Sequence, residues 1–161
     1  MITTLNIDGI NREFEQTEDG RLTTVAPKTG WERCELMERY YTIDGASQPE
    51  TYHPEDGERY NRADYFNSPA LAADIARATD LYRKLLRWQA EHDIPVSNGG
   101  YGIVLYLYHD TPTLEPYTLS ATGKYPFDII FSSTQAAQEA IKTFYGDLMW
   151  YFMKFRPRLD A

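Results

Sequence analysis

Apolar side chains recur every three or four positions between residues 68 and 92, which is the period of an amphipathic helix. The predicted core stripe consists of Leu71, Ile75, Ala78, Tyr82, Leu85, Leu86 and Gln89. The opposite side is charged and carries Arg77, Asp80, Arg83, Lys84, Arg87 and Glu91. Ser68 suits an N-cap and Pro69 the first helical position. This stretch predicts one long helix, with a buried and a solvated face, around which the rest of the chain is organised.

Residues 134–155 predict a second long helix with the same period. Its core stripe consists of Ala137, Ile141, Phe144, Leu148, Tyr151, Phe152 and Phe155. Met149, Trp150 and Met153 lie on roughly the opposite side of this helix. Because a helix on a sheet buries one face, we predict that these three side chains form the centre of a homo-oligomer interface. In the alternative, the amino-terminal 37 residues fold over them.

The first part of the chain predicts short strands and turns. Asp19-Gly20 indicates a hairpin turn within the extended candidates, which are residues 1–8, 10–15 and 21–26. Residues 31–44 predict a short helix that runs into a strand. Residues 48–61 contain Pro, Gly and many charges and predict a mobile or hairpin loop.

The stretch between the two helices predicts a sheet. Residues 101–109 are apolar on both faces, which favours an interior strand. A turn at residues 111–115 then precedes two further strands, at residues 117–121 and 127–131.

A strand, a Phe-x-Ser sequence and a helix follow one another twice, at residues 65–72 and 130–137. The offset is 65 here and 66 for the helical core stripes, so the repeat is approximate. The predicted fold class is therefore α+β: a mainly antiparallel sheet with two long helices on one face, built as two hairpin-strand-helix pseudo-repeats.

The length of 161 residues favours a single domain. Its parts are an amino-terminal hairpin extension at residues 1–37, a first unit at 38–92 and a second unit at 93–161. No apolar run is long enough for a membrane span, and the amino terminus lacks a leader pattern. Cys34 is the only cysteine, which excludes an internal disulfide. We expect a cytoplasmic protein with no metal, no cofactor and no membrane partner.

The net charge of −8 is concentrated in the first 67 residues, which carry 14 acidic and 7 basic side chains. Nucleic-acid phosphates would be repelled by such a surface, so direct nucleic-acid binding is not expected. A basic protein partner would be attracted. The candidate partner-binding residues lie in the acidic loop and are Glu50, Glu55, Asp56 and Glu58.

A second candidate site combines positive charge with aromatic rings, as a nucleotide requires. Its residues are Arg77, Arg83, Lys84, Arg87, Tyr106, Tyr108 and His109. The alternative for the four cations is a solvated helix face with ion pairs between successive turns. His109 beside Asp110 is the best candidate for acid–base catalysis, although a histidine at the end of a strand is more often structural.

Three strand-to-helix segments resemble a group of small bacteriophage accessory proteins over roughly residues 38–150. They are Tyr40-Tyr41-x-Ile43-Asp44, Asp64-Tyr65-Phe66-x-Ser68-x-x-x-Ala72 and Ile130-Phe131-Ser132-Ser133-x-x-x-Ala137-x-x-Ala140-Ile141. The resemblance implies a phage origin, a place in the host cytosol and a role in disabling host enzymes or immune systems. It implies no catalytic residue.

Three functional hypotheses follow. The first is a non-enzymatic phage accessory protein that binds and inhibits a host defence protein through an acidic, nucleic-acid-mimicking surface. The second is a sponge that sequesters a nucleotide signal in a pocket of Arg and Tyr. The third is a small enzyme that uses His109.

Overall fold

The computed structural model describes residues 2–7, 10–17, 19–24, 30–94, 96, 99–119 and 129–156. It confirms the α+β class, with helices and antiparallel strand pairs. In the described ranges the strands form three separate sheets. The chain divides into two compact units, unit 1 (Met1–Ala72) and unit 2 (Ala73–Ala161). The boundary between the units lies inside the first long helix, whereas the sequence predicted a boundary at the end of that helix, after residue 92. That the chain is a single domain stays a prediction.

Unit 1 begins with a three-stranded antiparallel sheet in the order β1-β2-β3. Its strands are β1 (Ile2–Ile7), β2 (Ile10–Gln16) and β3 (Leu22–Thr24). The turn before β3 contains Gly20, whose φ of 82° is readily adopted by glycine. The predicted strands and hairpin turn are confirmed here, while residues 1, 8, 25 and 26 lie outside the described residues.

The second half of unit 1 corrects two predictions. It contains β4 (Arg39–Tyr41), β5 (Ser47–Pro49) and a short helix, α1 (Pro54–Asn61). The loop predicted at residues 48–61 is therefore wrong, because His53 caps α1 and Asp56 accepts a hydrogen bond from the His53 backbone N–H. The helix predicted before β4 is also wrong. Met37 there has a φ of 70° and donates its N–H to the Glu50 carbonyl instead.

Both long helices are confirmed. α2 (Pro69–His92) begins after Ser68, whose Oγ accepts a hydrogen bond from the Leu71 N–H at 3.3 Å. α3 (Thr134–Trp150) is capped by Ser133 and continues into a π-helical turn, Tyr151–Phe155. Leu86 of the predicted core stripe is exposed, however. The most buried side chains of α2 within unit 2 are Leu81, Leu85 and Trp88, of which only Leu85 belongs to the predicted stripe.

A long hairpin of β6 (Gly100–Tyr108) and β7 (Thr111–Leu119) completes unit 2. His109 and Asp110 form its two-residue turn with φ values of 48° and 65°. The turn predicted at residues 111–115 is therefore wrong, because these residues belong to β7. Among the described residues, β6 pairs with β7 and by one bridge with Phe131, so the predicted interior position holds only near Tyr101. Of the strand predicted at 127–131, residues 127 and 128 lie outside the described residues.

The two junctions that indicated a repeat have the same local geometry. Tyr41 and Phe66 exchange two backbone hydrogen bonds of 2.7 and 2.9 Å, and Tyr101 and Phe131 exchange two of 2.9 and 2.8 Å. Both phenylalanines are fully buried. A serine two residues later caps the following helix in each case.

Candidate functional site

Unit 2 contains a cavity of about 570 Å³, which we call the unit 2 cavity. One side is formed by α2, a second by the β6–β7 hairpin, and a third by the end of α3 with the π-helical turn. This volume lies within the roughly 300 to 1,000 Å³ of small-molecule sites.

Gly102 shapes the hairpin side of the cavity. It lies directly across from Tyr117 in the β6–β7 register. A Cβ atom at position 102 would lie 2.5 Å from Tyr117 Cε1, closer than side-chain atoms pack. The missing side chain therefore leaves room for the Tyr117 ring, which lines the cavity.

The π-helical turn shapes the third side. α3 is kinked at Phe144, which has a φ of −113° and a ψ of 20°, and its last residues widen into the π-helical turn. Three aromatic side chains of this turn line the cavity: Tyr151, Phe152 and Phe155. π-helical turns are rare and are found frequently at functional sites.

Among the described residues, the cavity lining is mainly apolar and carries a single charged side chain, Arg156. Arg156 is exposed and forms no ion pair with any residue that the structure describes. Hydroxyl groups are supplied by Thr79, Tyr82, Tyr117 and Tyr151. The cavity can therefore enclose an apolar molecule and offers one positive charge to it.

Glu50, predicted on an acidic binding surface, is instead buried in unit 1 with 0% of its surface exposed. Arg33 donates two hydrogen bonds of 3.1 Å to its carboxylate, and the Tyr65 hydroxyl donates a third of 2.6 Å. Burial opposes ionisation of Glu50, but these hydrogen bonds outweigh it and lower its pKa. Burial and the bond to Glu50 raise the pKa of Tyr65. The prediction that Glu50 lies on a binding surface is therefore wrong, because its carboxylate is buried and bonded inside unit 1.

Asp56 is also buried rather than on a binding surface. It accepts hydrogen bonds from the Thr51 hydroxyl at 2.7 Å and from the Tyr40 hydroxyl at 2.8 Å. Burial opposes its ionisation, yet these and backbone hydrogen bonds lower its pKa to about 2. Burial and the bond to Asp56 raise the pKa of Tyr40 to about 12. No buried side-chain polar atom lacks a hydrogen bond in the described ranges, so this network stabilises unit 1.

Glu55 and Glu58 remain exposed on α1, as the acidic-surface hypothesis requires. Both lie on α1, the helix whose N-terminal capping box includes Asp56. The candidate acidic surface is therefore reduced from four carboxylates to two.

The four cations of α2 do not all face one site: Lys84 and Arg87 line a common cleft together with the acidic Glu91 and Asp147, and Arg77 and Arg83 are not in its lining. Arg77 pairs with Asp147 at 2.9 Å and Lys84 with Asp80 at 2.6 Å. Arg87 lies 4.0 Å from Glu91, and Arg83 is exposed. This geometry agrees with the alternative prediction for the four cations, a solvated helix face with ion pairs.

The other candidate nucleotide-binding residues lie at the tip of the β6–β7 hairpin. Tyr106 and Tyr108 have ring centroids 5.8 Å apart, and the Tyr108 hydroxyl lies 3.4 Å from Glu115. His109 is exposed in the turn and has no hydrogen bond from its ring to a described residue. Among the described residues, His109 therefore has no hydrogen-bonded partner that would support acid–base catalysis.

Trp150, predicted at the centre of an oligomer interface, has partners in its own unit. The Arg77 guanidinium lies 4.1 Å from its ring centroid, and Phe155 stacks on it at 5.5 Å. Met149 packs against the core and Met153 is 41% exposed. The homo-oligomer stays a prediction, with Met153 as the most exposed of its three residues.

No protein-family model matches the chain, and comparison with curated proteins and with solved structures found no match. The resemblance to bacteriophage accessory proteins stays a prediction. Within the described ranges, no helix has the length and apolar character that crossing a membrane requires, and no group of three metal-binding side chains occurs.

Proposed function

We propose that this protein is a non-enzymatic binding protein that sequesters a small, mainly apolar ligand in the unit 2 cavity. The observation that supports it most is the cavity itself, a partly open space of about 570 Å³ lined by aliphatic and aromatic side chains and a few hydroxyl groups. Small-molecule sites usually combine such a lining with few polar groups.

The chemistry of the lining favours binding over catalysis. It includes no histidine, cysteine, aspartate or glutamate among the described residues. These side chains supply most nucleophiles and general acids or bases. A ligand in this cavity would therefore be held rather than transformed.

The proposed site in the cavity combines arginine with tyrosine, as the predicted nucleotide site did, but its residues are different. Arg156, Tyr82, Tyr117 and Tyr151 now take the place of the α2 cations and the hairpin-tip tyrosines. A nucleoside monophosphate carries close to two negative charges at neutral pH, and a single arginine compensates for only one of these charges. The lining therefore supports a less charged ligand better than a nucleotide. In a phage setting, the protein would withdraw this ligand in the host cytosol.

The test uses the neutral fluorescent probe N-phenyl-1-naphthylamine. We expect saturable binding of one probe per chain, and binding at least about tenfold weaker in Ala78→Phe, whose new ring occupies cavity volume. Ala90→Phe is the matched control, because Ala90 is exposed on the same helix. Circular dichroism establishes that both variants are folded. Absent probe binding, or equal affinity in the folded Ala78→Phe variant, would contradict the proposal.

A second candidate function is inhibition of a host defence protein. It is favoured by the hairpin tip, where Tyr106, Leu107 and Tyr108 are 41%, 66% and 51% exposed. Neighbouring exposed apolar side chains often mark protein interaction sites. Exposed Glu55 and Glu58 would add the acidic character that a basic partner recognises.

This candidate is tested by affinity purification from host cells. A partner bound through the tip is lost in Leu107→Asp, and one bound through the acidic helix is lost in Glu55→Lys with Glu58→Lys. If both variants retain every protein that the wild type retains, neither surface is an interface.

A further inference from the structure

The described lining of the unit 2 cavity carries positive charge but no negative charge. Among the described residues, Arg156 is the only charged side chain of its lining, and no described carboxylate lines it. We infer that the ligand is a small amphiphile with a single negative charge, whose anionic group lies at Arg156 and whose apolar body fills the cavity. The inference rests on the proposed function and adds the chemical class of the ligand.

Unlike Arg33 and Arg77, Arg156 has no acidic partner among the described residues. Arg33 binds Glu50 and Arg77 binds Asp147, each at about 3 Å, but Arg156 pairs with no described carboxylate. The planar guanidinium presents parallel N–H donors that match a carboxylate or sulfonate group. Its charge is therefore available to an anionic ligand.

The apolar part of the lining cannot hold the charge. It includes Leu119, Ile129 and the fully buried Phe131. An anion placed against such side chains would lose its hydration without compensation. The ligand is thus oriented, with its charged group towards Arg156 and its hydrocarbon part towards these three residues.

The strength of the charge preference follows from the exposure of Arg156. Ion pairs of exposed side chains are weak because water screens them. We expect an anionic amphiphile to bind about fivefold more tightly than its neutral analogue. The hydrocarbon part dominates affinity, at about fourfold for each buried methylene group.

The experiment compares three ten-carbon probes at pH 7.5 and low salt: decanoate, decan-1-ol and decylammonium. Their affinities are measured by displacement of N-phenyl-1-naphthylamine and, for decanoate and octanoate, directly by calorimetry. We expect decanoate to bind best, decylammonium worst, and octanoate about 15-fold more weakly than decanoate. The decanoate preference should disappear in Arg156→Gln and persist in Arg83→Gln, since Arg83 is an exposed arginine outside the cavity lining.

The outcomes separate the inference from the proposed function. Equal binding of decanoate and decan-1-ol, or a decanoate preference that survives Arg156→Gln, overturns the ligand class while the cavity still binds apolar molecules. Loss of the preference in Arg83→Gln moves the anion site to α2 and also overturns it. If the neutral probe and decanoate both fail to bind, the proposed function and this inference fall together.

Discussion

The two units use their interiors differently although each contains the same Phe-x-Ser junction. Unit 1 buries the carboxylates of Glu50 and Asp56 and satisfies them with hydrogen bonds from Arg33, Tyr65, Tyr40 and Thr51. Unit 2 buries aliphatic and aromatic side chains and, in its described part, leaves a partly open space of about 570 Å³ beside them. A fully bonded polar network admits one arrangement. An apolar interior with an unfilled volume can accept a ligand instead.

Removal of the central carboxylate of unit 1 should have the largest effect on stability. Glu50→Ala leaves the Tyr65 hydroxyl and the Arg33 guanidinium without their partner. We expect the free energy of unfolding to fall by about 4 kcal/mol, as for other broken buried ion pairs. Urea denaturation measures this, with the exposed Glu55→Ala as a control expected within about 0.5 kcal/mol of wild type. Equal shifts in the two variants would show that the network does not stabilise unit 1.

Truncation of the core of unit 2 should cost somewhat less. Leu85 is 6% exposed in α2, and Leu85→Ala should lower the free energy of unfolding by about 3 kcal/mol. Arg83→Ala, two positions away and exposed, should change it by less than about 1 kcal/mol. The same urea experiment compares them. Matching losses would mean that the buried face of α2 is assigned wrongly.

Acid should weaken unit 1 through its buried carboxylates. The pKa of Asp56 falls from 3.8 to about 2 on folding, so its stabilisation is complete above pH 4 and is lost as the pH falls towards 2. Glu50, whose pKa is also lowered, acts in the same direction below its ordinary value of 4.5. The urea midpoint of the wild type should therefore decrease between pH 5 and pH 2.5. Asp56→Asn should start lower and decrease less, and parallel pH profiles would contradict this assignment.

The exposed end of α3 should affect association more than stability. The sequence predicts a homodimer or larger oligomer, and Met153 is 41% exposed. Met153→Glu should change the free energy of unfolding by less than about 0.5 kcal/mol but reduce the mass measured by light scattering to that of one chain. A wild-type mass of 18.6 kDa, that of one chain, at micromolar concentration would rule the oligomer out.

Local signals in the sequence predicted both long helices and the Ser68 cap of α2 well. The short helix α1 was missed because its cap is His53, an unusual cap residue, which is completed by Asp56 three positions later. Burial of Glu50 could not be predicted, because its partner Arg33 is 17 residues away and no spacing rule connects them.

The unit 2 cavity could not be predicted for a related reason. Ile75, Ile129 and Arg156 all line it, but they come from distant parts of the chain. Gly102 within an apolar strand was the one local signal, since a glycine in a strand often marks a close approach of another group. It indicates tight packing, which Tyr117 provides, but not an adjacent cavity.

Methyl NMR of isoleucine and leucine residues during titration with N-phenyl-1-naphthylamine tests the central claim most directly. The account predicts saturable shift changes that concentrate at cavity-lining methyl groups, including Ile75, Leu119 and Ile129, and that are absent from the Ala78→Phe variant. Leu107 at the hairpin tip and Leu36 in unit 1 are both exposed and should not change. Shift changes centred on Leu107 or Leu36, or none at cavity methyl groups under saturating probe, would contradict a ligand site in the unit 2 cavity.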